Sequence, residues 1–226
     1  CMIAYDLNEP RIVDGLERLG ERLRIIIDDD DAHGLATSAE SEAEKRLLAR
    51  GCSVKRQHMG KLQHNKIIVV DGAKVKKAVC GSTNFSWRGL YVQSNNAVLL
   101  NGAGAIAPFL NAFEQYWSFD TPADFNQTDS ATGWTSLGLK KIDAQVTFSP
   151  HSEADALLPS IAQDLAERTR SSLFFSLAFL YQTPGVLQEA IKKVSMDGNI
   201  FVYGISDRKV GGLDLQKPNT NVSPVY

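Results

Sequence analysis

Two stretches of this chain repeat one order of pattern and punctuation, and that order limits the folds open to it. IAYDLNEPRIVDGLERLGERLRIIIDD (3–29) and LAFLYQTPGVLQEAIKKVSMDGNIFVYGISD (177–207) align when Pro10 is set against Pro184, an offset of 174 residues. Ile3 then meets Leu177, Ala4 meets Ala178 and Tyr5 meets Phe179. Beyond the prolines, Ile12, Val13 and Leu16 meet Val186, Leu187 and Ala190. Each copy reads as an apolar strand, a proline-started helix and a second apolar strand. Strands alternating with helices imply α/β layering around a partly parallel sheet. A tandem duplication accounts for the agreement better than chance, because pattern and punctuation coincide.

The repeat also sets expected boundaries. Residues 1–117 read as a first half, 118–143 (rich in Thr, Asp, Gly and Ser) as a linker, and 144–226, opening with QVTFSP, as the start of a second half. Both halves read as incomplete. A helix, ALLPSIAQDLAERTRSS, precedes the first strand of copy two, and copy one has no counterpart to it. The element beginning at His64 would recur in copy two at roughly position 238, beyond Tyr226. Within the first half, AESEAEKRLLARG predicts a helix with Ala43, Leu47 and Leu48 on one face and Gly51 as its stop. CSVKRQ and SNNAVLL predict strands, and AIAPFLNAFEQYW a helix. KIIVV and KVKKAVCG predict a hairpin about Asp71-Gly72.

The chemistry concentrates in HNKIIVVDGAKVKKAVCGSTNFS, residues 64–86. Residues two apart on a strand share a face, so His64 and Lys66 are expected to point the same way. Ile67 to Val70 are apolar on both faces, as in a central covered strand, which is a rigid base for a site. The returning strand ends in Ser82 and Asn84, again two apart. An imidazole, an ammonium, a hydroxyl and a carboxamide aimed at one point suit a phosphate, whose charge is spread over several oxygens. Asp71 has odd parity relative to His64 and is expected to face away from Lys66, as an orienting or structural group.

His64-Asn-Lys66-Ile-Ile-Val-Val-Asp71, followed by Gly81-Ser82-Thr-Asn84, resembles the HKD motif of the phospholipase D superfamily. YDLNEPRIVDGLERLG, the Asp after RIII and the two-copy arrangement are similar to that superfamily as well. Between Asp71 and Gly81 the chain carries three residues more than the family's usual spacing. The resemblance implies a phospholipase D-like α/β fold of two similar mixed-sheet halves, and a phosphodiester hydrolase or transferase that needs no metal or other cofactor. It implies a covalent phosphohistidine: one histidine attacks phosphorus, and a second, from the other half, protonates the leaving alcohol. By the same resemblance His64 is nucleophile or acid, Lys66 and Asn84 bind phosphate, Ser82 assists and Asp71 orients. The second HKD motif would come from the remainder of the chain or from a dimer partner.

Bulk composition bears on the substrate. Lys plus Arg number 24 against 26 Asp plus Glu, so no strong overall field draws in nucleic acid. Phospholipid is therefore the favoured substrate, with transient contact at a membrane surface. An HKD-type nuclease and a non-catalytic phosphate-binding module are the alternatives. Three cysteines and no C-x-x-C pair point to neither a disulfide framework nor zinc. Gly102-Ala-Gly104-Ala-Ile-Ala107 matches a dinucleotide fingerprint, but no second strand ending in an acid follows, and a tight turn into a helix is expected. Asp28 to Asp31 with His33 read as a solvated acidic loop, and His58 as a solvated loop histidine.

Overall fold

The computed structural model describes residues 1–178, 180 and 185–206. The chain divides into two compact units, Cys1–Asp155 and Ala156–Tyr226. No helix among the described residues is long and apolar enough to cross a membrane.

In the first unit, strand β1 (Met2–Ala4) leads into helix α1 (Pro10–Glu17) and strand β2 (Arg24–Ile27). Helix α2 (Ala39–Ala49) leads to β3 (Ser53–Arg56), and the hairpin β4 (Ile67–Asp71) and β5 (Lys76–Gly81) follows. Then come the short helix α3 (Trp87–Tyr91), β6 (Ala97–Asn101) and the long helix α4 (Ala103–Ser118). The main sheet has the order β3-β2-β1-β4-β5-β6. β1, β2 and β3 run parallel, while β4, β5 and β6 are joined antiparallel. This is the mixed α/β sheet that the sequence pattern implies.

Alternation along the strands builds two cores. Ile3, Ile26, Ile67, Val69, Ala78 and Leu100 face Ile106, Phe109, Phe113 and Tyr116 of α4. Met2, Ala4, Ile25 and Ile27 face Val13 and Leu16 of α1 and Ala43 and Leu47 of α2. The period-two reversal of side chains lets an unbroken apolar run such as RIII serve both faces at once. Pro10 sits at the first turn of α1, where its missing N–H costs nothing. Ser38 caps α2 by accepting from the Ser41 N–H at 3.0 Å. Gly51, with φ +79°, follows the end of α2 in the left-handed conformation that a helix stop favours. Gly102, with φ +107°, opens α4 as a tight turn.

Three local expectations need correction. Leu48 is 51% exposed; α2 buries Ala43 and Leu47, and the apolar stripe is narrower than the sequence suggests. β4 is covered at its first residues only: Ile67 and Val69 are buried, whereas Val70 is 46% exposed toward the hairpin tip, beyond the reach of the helices. The stretch 118–143 is no bare linker. It forms α5 (Pro122–Phe125) and the ribbon strand β7 (Thr135–Ser136), which pairs with β8 (Gln145–Val146). Phe125, Ala131, Leu137 and Phe148 are buried in the α4-side core, and Phe125 stacks on Tyr116 at 4.0 Å. QVTFSP accordingly packs with the first unit. Polar composition hid four buried apolar side chains that α4 needs as cover.

The second unit contains α6 (Leu158–Arg168), β9 (Ser172–Leu177), α7 (Gly185–Ser195) and β10 (Phe201–Ser206). β9 and β10 pair in parallel with α7 between them, the order seen in β1–α1–β2. Leu173, Leu187, Ile191 and Val194 form its core. Gly204 lies against the Phe175 ring, which would strike any Cβ there. Two repeat partners named from sequence, Phe179 and Pro184, lie outside the described residues.

Candidate active site

The sheet brings four chain segments to one end. β1 and β2 are parallel, so their carboxyl ends, Ala4 and Ile27, lie together. β4 runs against β1, with Ile67 opposite Ile3, so the residues entering β4 arrive at that same end. β5 runs against β4, with Cys80 opposite Ile67, and delivers Ser82 to Asn84 there as well. The mouth beyond the carboxyl ends of parallel strands is where α/β sheets collect ligand-binding groups.

The regular strand begins at Ile67, so His64 and Lys66 sit on the segment just before it rather than on β4 itself. They still converge, through tertiary contacts. The His64 ring meets the Tyr5 ring edge-on at 4.6 Å. The Lys66 ammonium lies 4.8 Å from the centre of the same ring and donates to the His64 carbonyl at 2.6 Å. His64 is exposed on one side, whereas Lys66 is buried at 6% exposure. Burial, with the Lys66 charge added, lowers the His64 pKa and favours neutral imidazole. Burial pulls the Lys66 ammonium down to about 8 against the opposing pull of Asp6 and Asp28.

Behind this pair stands a network that sequence reasoning had assigned to solvent. Asp28, at the end of β2, is 0% exposed. Its carboxylate accepts from the Gln63 N–H at 2.5 Å and the Asp30 N–H at 3.1 Å, and it meets Nδ1 of His33 at 2.8 Å. Nε2 of His33 meets Asp6 at 3.1 Å, and the His33 ring sits edge-on to Tyr5 at 4.6 Å. Arg56 ties the loop by donating to the carbonyls of Asp28 and His33 at 2.9 and 2.6 Å. The run of acids is therefore split: Asp28 turns inward, because a buried N–H and an imidazole await it. His58, as expected, stays exposed, paired with Asp29 at 2.9 Å.

A second ladder fixes the approach to His64. Asn65 donates to Gln63 at 2.7 Å, Gln63 to Gln57 at 2.8 Å, and Gln57 to the carbonyls of Tyr116 and Phe119, both at 2.8 Å. Beside it opens a cleft of ≈ 270 Å³, bounded by Leu62, Gln63, His64 and Asn65 with Ser149 and Pro150.

Ser82 and Asn84 reach the same end of the sheet in different states. The Ser82 hydroxyl donates to Asn95 at 3.1 Å and accepts from the Asn96 N–H at 3.0 Å. The side-chain oxygen of Asn84 is buried with no hydrogen-bond partner among the described residues. Gly89 lets α3 approach the Asn84 backbone: a Cβ there would stand 2.3 Å from the Asn84 main-chain carbonyl oxygen. Asp71 is not gathered at the mouth. It stands at the far end of β4 and pairs with Lys76 across the hairpin.

Asp6, His33 and Glu40 offer ligand atoms within 4.8 Å of one another, the spacing a metal ion would use. Each is already engaged by protein: Glu40 by the Leu7 N–H at 3.0 Å, Asp6 by Ser86 at 3.2 Å, and His33 by Asp28.

The family model described as cardiolipin synthase, PLD-like domain, matches residues 2–117. Among solved structures, a phospholipase D family member, Nuc from Salmonella typhimurium, is 25% identical, with 52% of this chain and 76% of that chain covered and a TM-score of 0.44. Polyphosphate kinase from Porphyromonas gingivalis is 10% identical, with 91% of this chain covered and a TM-score of 0.56, a likeness of fold alone. The chain spans 32% of that kinase. No curated protein sequence matches.

Proposed function

We propose, on the premise that this chain belongs to the cardiolipin synthase PLD-like domain family of the phospholipase D superfamily, that it cleaves or transfers phosphodiesters through a phosphohistidine on His64, with phospholipid as substrate. The superfamily is one of phosphodiesterases. The observation that carries the finer reading is the meeting of His64 and Lys66 on one aromatic ring at the mouth of the sheet.

The chemistry follows from the groups. A phosphodiester repels anionic attackers, and neutral imidazole does not carry that penalty. The lowered His64 pKa supplies this form at neutral pH, which favours His64 as nucleophile. As its nitrogen bonds to phosphorus, the bond to the leaving alkoxide breaks, and a second imidazole gives that oxygen a proton. Water, or another alcohol, then displaces His64 from phosphorus and passes its proton back to the second imidazole. Lys66 and Asn84 hold the non-bridging oxygens, and Ser82 assists from its place beside Asn95. Asp71, paired with Lys76, orients the hairpin rather than the substrate. The partner histidine comes from a second HKD motif, either in a second half that β9–α7–β10 begins or in a dimer partner. On this organisation residues 1–117 carry the first half, 118–155 extend it by packing on the α4-side core, and the second half opens with α6.

The test is turnover by the intact protein on a phospholipid panel and on DNA, with a chelator present. Release of head group or exchange of alcohol supports the reading. Cleavage of DNA alone favours a nuclease, and phosphate binding without turnover a binding module. The alkaline limb of kcat/KM carries a further expectation. Lys66 binds phosphate only as ammonium, so kcat/KM should fall as pH rises through about 8, the value of the free protein. A flat profile to pH 10 counts against Lys66 as the phosphate ligand.

A further inference from the structure

Tyr5 precedes the motif by almost sixty residues, and no charge or nucleophile marks it, yet it touches both reactive side chains. We propose that Tyr5 is the positioning residue of this site: its ring sets His64 and Lys66 in register, and His33 braces the ring from the other side. The inference rests on the site reading above and adds a residue to it.

Geometry carries the argument. One ring is shared by three neighbours: His64 and His33, each edge-on at 4.6 Å, and the Lys66 ammonium at 4.8 Å. An ammonium over a π face is attracted by the ring quadrupole, and edge-on rings fix each other's tilt. Among the described residues the Lys66 ammonium also makes one hydrogen bond, to the His64 carbonyl. Its long stem is therefore held at two points, one of which is Tyr5. His64 makes no side-chain hydrogen bond among the described residues, so the ring contact defines its orientation. Tyr5 itself cannot drift. His33 is clasped by Asp28 at 2.8 Å and Asp6 at 3.1 Å, and Ser38 donates to the His33 carbonyl at 2.7 Å. These supports come from the ends of β1 and β2 and the cap of α2, all rigid parts of the unit. A nucleophile and a phosphate ligand displaced by about 1 Å can lose roughly 10²-fold in rate, so a support of this kind bears directly on kcat.

The aromatic ring, not the hydroxyl, does the positioning. In the intact protein Tyr5→Phe should therefore keep kcat within about threefold of the parent, whereas Tyr5→Leu should lower kcat by about 10- to 100-fold with KM changed far less. Equal activity of the Leu and Phe variants overturns the proposal, as does a Leu variant that alters KM alone. A second measurement needs no variant and no turnover. In the unmutated protein the Lys66 side-chain protons should be shifted upfield by the Tyr5 ring in NMR spectra, with cross-peaks from the Tyr5 ring to the His64 ring. Their absence overturns the proposal even if Tyr5→Leu fails to fold. Should the parent turn over no phosphodiester, the proposed function fails while this spectroscopic arm still decides the placement of Tyr5.

Discussion

His64→Ala is expected to lower turnover by about 10⁴-fold while leaving the fold unchanged. The size follows from what is lost. No other histidine among the described residues reaches the mouth free of a carboxylate or carbonyl partner: His33 is held by Asp28 and Asp6, His58 by Asp29, and His151 by the Ala131 carbonyl at 2.7 Å. None can stand in as attacker. The fold should be untouched because His64 is exposed and its ring makes no side-chain hydrogen bond among the described residues. The unfolding free energy should change by no more than about 0.5 kcal/mol, as for an ordinary surface change. Steady-state kinetics beside a denaturant titration checks both halves. Phosphodiesterase activity retained in this variant refutes the assignment of the nucleophile.

Asp28→Ala is expected to do the reverse, costing the fold about 3 kcal/mol and activity with it. The carboxylate is fully buried and meets three groups: the Gln63 and Asp30 N–H groups and Nδ1 of His33. Removing it strands all three, and each buried donor without a partner costs its desolvation. The Gln63 tether is also what fixes the backbone one residue before His64, so loosening it should lower kcat along with stability. The denaturant midpoint should fall at constant slope, which separates lost stability from a changed unfolded state. Asp28→Asn retains one acceptor and should fall between. A loss under 1 kcal/mol for the alanine variant would mean that the clasp contributes nothing net, and that the loop is held by the Gln57–Gln63–Asn65 ladder alone.

Much of this was legible beforehand, for a physical reason: periodicity and punctuation are local properties. RIII, KIIVV and the Asp71-Gly72 turn declare strands and a hairpin through neighbours a few residues apart, and Pro10 and Gly51 mark helix ends by backbone geometry. His-x-Lys ahead of an apolar strand, with Ser-x-Asn at the end of the next, likewise places those four residues at one end of the sheet. The choice between buried and solvated was not local. Asp28 looks like its neighbours Asp29 to Asp31, and only the Gln63 N–H and His33, brought in by folding, give it a reason to be inside. Phe125 and Phe148 stand in polar surroundings, and only the exposed flank of α4 explains their burial.

The sequence by itself therefore determined the α/β layering and the hairpin, because each rests on spacing along the chain. Tertiary structure alone decided that Tyr5, His33, Asp28 and Lys66 meet. Their attraction is short-ranged, and residues 5, 28, 33 and 66 come within reach only after parallel and antiparallel strands have placed their ends side by side.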